Sequence, residues 1–160
     1  MIKVFFRRSG EAYREQHAAA YSLLYAAAAF CGYDADTLEI AKTEEGKPYF
    51  KGDRVPFFSL SHSGGYAVCA IGDIPLGVDL ERMREIPDRI CKRFLGGTSG
   101  REAVVRWTMR ESYGKLEGGG FFKGGDIPGD VVFRTFDTLP GYLITLCFFD
   151  EEAIEEPTEL

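Results

Sequence analysis

The stretch from Phe58 to Glu81, FSLSHSGGYAVCAIGDIPLGVDLE, constrains the fold of this chain more than any other. Phe57 to Leu60 and Tyr66 to Ile71 are rich in aromatic and β-branched residues and flank a polar, glycine-bearing segment, His62-Ser63-Gly64-Gly65, so they read as two strands joined by a turn. Such a turn can aim backbone N–H groups and the Ser61 and His62 side chains at one point. A plain hairpin connection explains the same residues. At the far end Asp79 and Glu81 alternate with Val78 and Leu80. On an extended strand the two acids share one face and the aliphatics enter the core. Adjacent carboxylates repel each other, which points to a cation between them.

Around this stretch the remaining segments read in order. Residues 2–6 form a first strand. A helix from about 11 to 31, with Ser9 as its cap and Gly32 as its stop, carries Tyr13, His17, Ala20, Leu24, Ala27 and Cys31 at helical spacing. His17 then falls on the apolar stripe, at the edge of the core. Residues 38–42 form a strand, followed by a turn at 44–46 and an extended Lys47, because Pro48 disfavours a helix through the residue before it. A short helix spans 86–95, ending before Gly96-Gly97. The next, over about 101–116, has a core stripe of Val105, Met109, Tyr113 and Leu116 and an opposite face of Val104, Trp107, Thr108, Glu111 and Lys115. Glu111 and Lys115 are four apart, which by itself describes an ordinary surface ion pair. The glycines at 118–120 and 124–125 bracket a mobile loop without P-loop spacing. Residues 130–136 and 142–149 are antiparallel strands.

Composition narrows the class. A chain of 160 residues with 45% hydrophobic and 28% charged residues is an ordinary globular protein of one domain or two very small ones. The net charge of −6 comes from six acids in the tail, Asp150, Glu151, Glu152, Glu155, Glu156 and Glu159; the other 19 acids balance 19 bases. Neither a nucleic-acid footprint nor a membrane or targeting segment is visible, and the chain reads as cytoplasmic, with a disordered tail over 150–160. The four cysteines are widely spaced among apolar neighbours and read as buried thiols rather than disulfides or zinc ligands.

Together, a strand bearing Asp79 and Glu81 and a helix face bearing Glu111 and Lys115 can supply three carboxylates and an ammonium to one site. Carboxylates without accompanying His or Cys favour Mg²⁺ or Mn²⁺ over zinc, and Mg²⁺ so held keeps positions open for water and phosphates. Phosphoryl-type chemistry is the leading class, although acidic pairs on strands are often solvated edges.

The combination is more specific than its parts. GKPY at 46–49, FSLSHSGGYAVCAI at 58–71, GVDLE at 77–81 and WTMRESYGKLEGGG at 107–120 resemble, in the same order, the signature blocks of the 4′-phosphopantetheinyl transferases, nearest to the surfactin-synthetase-activating type. The resemblance implies an α+β fold of two similar halves about a pseudo-twofold axis, 1–75 and 76–149, each an antiparallel sheet packed on a long helix. It implies that Asp79, Glu81 and Glu111 hold Mg²⁺ against the pyrophosphate of coenzyme A and that Lys115 neutralises phosphate charge. Ser61 and His62 would touch the nucleotide, the histidine near its 3′-phosphate, and Lys47 would be a second phosphate-contacting lysine.

The implied reaction moves phosphopantetheine from coenzyme A to a serine of an acyl or peptidyl carrier protein, releasing 3′,5′-ADP. Glu111 is the candidate base, with a metal-bound water as the alternative. Departures from the pattern are the short region before GKPY, where Arg7, Arg8 and Arg14 are candidates for the basic residues that larger members place ahead of the first helix, Arg110 in place of the usual lysine, and an abbreviated 96–100 segment. The last of these, with the glycine-rich loop after Lys115, would border the carrier-protein groove. Two halves in one chain imply a monomer. The rival readings are a coenzyme A or nucleotide-binding module without transfer, and a Mg²⁺-dependent pyrophosphate hydrolase.

Overall fold

A computed structural model describes residues 1–121, 126–149 and 154–160. The residue pairs Phe122-Lys123 and Gly124-Gly125 of the expected mobile loop, and 150–153 of the tail, lie outside the described residues.

The chain begins with β1 (Ile2–Arg8) and α1 (Tyr13–Phe30), then a 3₁₀ turn Ala35–Thr37 and the small hairpin β2 (Ile40–Lys42) and β3 (Pro48–Phe50). The hairpin β4 (Phe57–Ser63) and β5 (Tyr66–Gly72) follows, then β6 (Gly77–Arg82), α2 (Asp88–Phe94), α3 (Gly100–Glu117), β7 (Val132–Phe136), β8 (Tyr142–Phe148) and β9 (Thr158–Glu159). Among the described residues the protein is thus a mixed α+β fold with three α-helices and sheets built on antiparallel pairs, apart from the parallel pairing of β9.

Two of the sheets share a strand order. In the first, β5 lies between β4 and β1; in the second, β8 lies between β7 and β6. Each central strand is buried along most or all of its length and pairs antiparallel with both neighbours. The period-two alternation of strands assigns each face its partner. Ile2, Val4, Phe6, Val68 and Ala70 from the first sheet meet Val78, Leu80, Ile144, Leu146 and Phe148 from the second in one shared core. On the outer face of the first sheet, Phe5, Ala67, Cys69 and Ile71 pack beneath Ala20, Leu23, Leu24, Ala27 and Ala28 of α1. On the outer face of the second, Leu143 and Cys147 meet residues of α3. The layers therefore run α1, sheet, sheet, α3.

The two sheets are also joined edge to edge by side chains. Ser59, Ser61 and Ser63 alternate along β4, and their hydroxyls accept from the backbone N–H groups of Val78, Leu80 and Arg82 at 3.0, 3.2 and 3.3 Å. Unpaired N–H groups on a buried strand edge are costly, and this ladder of serines satisfies alternate ones without a backbone pairing. At the hairpin tip Tyr142 donates its hydroxyl to the Gly64 carbonyl. Gly64 and Gly65 have φ of 55° and 92°, as a tight two-residue hairpin turn demands, and a Cβ at Gly64 would lie 2.6 Å from the Tyr142 hydroxyl.

Several expectations change. The strand β4 runs on through Ser63, so the turn is Gly64-Gly65 alone. Helix α1 is capped at Ala12, whose N–H is taken by the Glu15 carboxylate at 3.1 Å, rather than by Ser9. His17 is exposed, between the rings of Tyr13 and Tyr21, because the buried stripe of α1 runs through Leu23 and Ala28 instead. On α3 the buried residues include Val104, Thr108 and Ser112, whereas Val105 and Met109 are only half-buried. That polar face can be buried because Thr108 Oγ1 bonds to Thr145 Oγ1 at 2.7 Å and Ser112 Oγ donates to the Met109 carbonyl at 2.9 Å. In residues 154–160 of the acidic tail, expected to be disordered, β9 pairs in parallel with β1, Leu160 N donates to the Phe6 carbonyl, and Lys3 pairs with Glu155 at 3.2 Å. The open edge of β1 and its lysine offer this tail hydrogen bonds and a countercharge, which composition does not show.

Candidate active site

Strand β6 and helix α3 bring the four sequence-selected polar residues of the second half together. Asp79 sits opposite Thr145 in the β6 and β8 register and points toward α3, as does Glu81 two residues on. The helix comes close enough because Gly77 has no side chain. A Cβ there would lie 2.0 Å from the Ser112 carbonyl oxygen, an impossible contact. Gly114 serves the other side of the helix, where a Cβ would meet Gly120 backbone at 2.5 Å.

Asp79 is 3% exposed. Its Oδ1 receives the Lys115 ammonium at 2.9 Å and the Ser61 hydroxyl at 3.0 Å, and Lys115 Nζ also reaches Ser61 Oγ at 2.6 Å. Its Oδ2 is buried with no hydrogen-bond partner among the described residues. Glu81 is half-buried and held on both oxygens, by Trp107 Nε1 at 2.9 Å and by Arg84 Nε at 3.5 Å. The Arg84 guanidinium in turn lies 5.1 Å from the centre of the Trp107 ring.

Glu111 has no hydrogen-bond or ion-pair partner among the described residues. Burial, followed by the nearby Asp79 charge, raises its pKa from 4.5 to about 7, against the pull of Lys115. Burial and Asp79 push Glu81 upward as well, while Arg84 and Trp107 oppose the rise. The Asp79 charge raises the pKa of both Glu81 and Glu111, and the three carboxylates, one with a bare buried oxygen, are in type and charge a donor set for a hard divalent cation. Among the described residues no three His, Cys, Asp or Glu side chains are gathered closely enough to hold a metal ion.

Ser61 and His62, expected to aim at one point, diverge. Both lie within β4, and neighbouring residues of a strand face opposite ways. Ser61 turns to Asp79 and Lys115. His62 is half-buried, with Nδ1 2.9 Å from Gln16 Oε1 and its ring 5.4 Å from that of Tyr13 on α1. Burial, then the positive charges of Lys115 and His17, lower its pKa. The sequence carried no signal for Gln16 beyond its place one turn into α1.

Lys47 lies at the opposite side of Lys115. Its ammonium donates to the Leu116 carbonyl in the last turn of α3 at 2.7 Å, and burial lowers its pKa. Lys47, Lys115, Phe58, Gly118 and Gly120 line a cavity of about 360 Å³. Of the other basic candidates, Arg7, Arg8 and Arg110 are engaged elsewhere. Arg7 donates to the Leu160 carbonyl and to Ser22, and Arg8 lies over the Tyr66 ring. Arg110 lies over the rings of Phe121 and Phe94 at 5.4 and 5.9 Å. All four cysteines are free thiols. No helix among the described residues is long and apolar enough to cross a membrane.

No protein-family model matches the chain. Among curated proteins it is 25% identical over 159 residues to the 4′-phosphopantetheinyl transferase Sfp of Bacillus subtilis strain 168, covering 78% of this chain and 69% of that protein. It is 32% identical to the 4′-phosphopantetheinyl transferase psf-1 of Bacillus pumilus, covering 72% of this chain and 63% of the relative. With the 4′-phosphopantetheinyl transferase gsp of Aneurinibacillus migulanus the identity is 36%, over 51% of this chain and 38% of the relative. The chain thus spans between 38% and 69% of the length of these three relatives. It is a relative of the 4′-phosphopantetheinyl transferases.

Proposed function

We propose that this chain transfers the 4′-phosphopantetheine group of coenzyme A to a serine of an acyl or peptidyl carrier protein, with Mg²⁺ bound by Asp79, Glu81 and Glu111. The approach of Glu111 and Lys115 on α3 to Asp79 and Glu81 on β6 carries the reading, since these residues belong to two separate sequence blocks; the three carboxylates would close further around the cation. The shared strand order of the two sheets supports a pseudo-twofold relation between residues 1–75 and 76–149.

In this reading the coenzyme pyrophosphate approaches Lys115, whose ammonium now rests on Asp79, and Mg²⁺ when bound supplies charge neutralisation for the phosphates. The serine hydroxyl attacks the β-phosphorus, the bridging bond to the α-phosphate breaks, and 3′,5′-ADP departs with the electron pair. Glu111 takes the serine proton. A base placed within reach of the serine is worth about a hundred- to ten-thousandfold in rate; the value near 7 belongs to Glu111 with no cation beside it. His62 and Lys47 would hold the nucleotide phosphates, the partly desolvated Lys47 ammonium by charge and His62, whose pKa burial lowers, as an imidazole N–H donor.

The carrier surface would lie beside α2 and α3. A second cavity, of about 450 Å³, is lined there by Glu102, Arg106, Arg110, Val105, Met109 and Gly96; Arg106 pairs with Glu102 at 3.2 Å, which leaves Arg110 and the apolar groups to face an acidic, amphipathic partner. The monomeric state and a cytoplasmic location are part of the same proposal.

Incubation with Mg²⁺, coenzyme A and an apo carrier protein, followed by the mass of the carrier, tests it. A gain of one phosphopantetheine group supports transfer. Cleavage of coenzyme A without that gain identifies a hydrolase, and binding with neither identifies a module.

A further inference from the structure

Phe121 is the first residue with a side chain after the glycine run 118–120, and it is 7% exposed although it lies in a turn. The chain reaches this position by doubling back along α3. Gly118 and Gly120 both donate their N–H to the Gly114 carbonyl, at 2.9 and 3.1 Å, and the bare Cα of Gly114 leaves room for the Gly120 backbone. The phenyl ring thereby meets the indole of Trp107, with ring centres 4.5 Å apart and planes inclined at 31°. Phe94 of α2 meets the same phenyl edge to face at 5.8 Å, and the Arg110 guanidinium lies 5.4 Å from its centre.

Trp107 is also the donor to Glu81 Oε1, at 2.9 Å. The other tether on that carboxylate, Arg84 Nε at 3.5 Å, is longer and comes from a side chain 42% exposed. The direction of the Glu81 carboxylate therefore depends chiefly on the indole. A single hydrogen bond leaves an indole free to turn about its side-chain torsions, so the surface on which the ring rests decides where its N–H points.

We infer that Phe121 is a positioning residue for the metal site, which through its stacking on Trp107 holds the indole N–H on Glu81 Oε1 and so fixes the direction of that carboxylate. The inference rests on the transfer reading, in that it takes Glu81 as a ligand of the cation. Groups that hold a ligating side chain in place typically account for about ten- to a hundredfold in metal affinity. Phe121 stands one contact further out, so the lower end of that range applies to it.

The affinity for Mn²⁺ with coenzyme A present, read from the electron paramagnetic resonance of the free ion, tests this without turnover. Phe121→Ala should weaken binding about tenfold. Phe121→Leu, which keeps an apolar group against the indole, should stay within about threefold of the parent, and Leu24→Ala beneath α1 should leave the affinity unchanged despite its loss of stability. In a Trp107→Phe background the N–H is already gone, and Phe121→Ala should there cost no more than about twofold further. A full tenfold loss in that background would show that Phe121 acts by another route and overturn the inference, as would parental affinity in Phe121→Ala.

A second measurement needs neither metal nor coenzyme. Trp107 is the only tryptophan of the chain, so its emission reports on this ring alone. Phe121→Ala should shift the emission to longer wavelength and increase its quenching by acrylamide while the far-ultraviolet circular dichroism stays that of the parent. Unchanged emission would overturn the inference. A parent protein that binds no Mn²⁺ would remove the metal site proposed above and the role of Glu81 with it, and the emission would still decide whether Phe121 seats Trp107.

Discussion

The two sheets share a strand order, yet their helices meet them through opposite kinds of surface. Helix α1 rests on its sheet through Ala20, Leu23, Leu24, Ala27 and Ala28, all apolar and all at most 2% exposed. Helix α3 meets its sheet partly through Thr108 and Ser112, with Gly77 thinned to nothing beneath it, and carries Glu111 and Lys115 at the margin of that contact. An apolar interface holds elements together and does little chemistry. A polar one spends some of that stability on groups that must be hydrogen-bonded in return, and it brings titratable side chains within reach of one another. The same topology thus serves as a platform in one half and as a site in the other.

If that division is correct, substitutions in the two helices should separate activity from stability. The largest effect belongs to Glu111→Gln, which should reduce transfer by at least about a hundredfold in a carrier mass assay while the fold remains intact by circular dichroism. On the other helix, Leu24→Ala should cost about 3 kcal/mol in urea unfolding and leave kcat close to that of the parent at a temperature where both are folded. Comparable losses of kcat in the two variants would erase the distinction. A smaller effect is expected of Thr145→Val, which removes bonds to Thr108 at 2.7 Å and Thr135 at 3.1 Å and should cost about 1 kcal/mol, read in the same unfolding experiment.

The finest test is the pH dependence. With Glu111 raised to about 7 in the folded chain and near 4.5 in the unfolded one, the native state binds more protons between those values. Without divalent cation, the Glu111 contribution to stability should therefore fall as pH rises from about 4.5 to 7, opposed by that of His62, whose pKa is lowered in the folded chain. Glu111→Gln should flatten that decline, though not remove it, because Glu81 is shifted in the same direction. The same pH dependence in both proteins would contradict the burial of Glu111 beside Asp79.

Much of this arrangement can be read from residues alone, and the exceptions have physical causes. Alternation placed Asp79 and Glu81 on one face of β6, and helical spacing put Trp107, Glu111 and Lys115 on a common side of α3; in the folded chain Trp107 indeed bonds to Glu81 and Lys115 to Asp79. The buried face of α3 was harder to see, since Thr108 and Ser112 look like solvent-facing residues until Thr145 is placed across from them. Ser61 and His62 read as a turn because Gly64-Gly65 follows so closely. The serines at alternate positions of β4 mark a strand whose polar face is covered, a pattern that a hydropathy reading treats as exposed. For β9 the obstacle was charge: an acidic segment pairs with β1 only because a free strand edge and Lys3 await it.

The central proposal is that Asp79, Glu81 and Glu111 close around a divalent cation. Anomalous scattering from crystals grown with Mn²⁺ and coenzyme A addresses it directly. The account predicts a manganese peak bounded by those three carboxylates. Coenzyme A bound with manganese elsewhere, or with none, would contradict it.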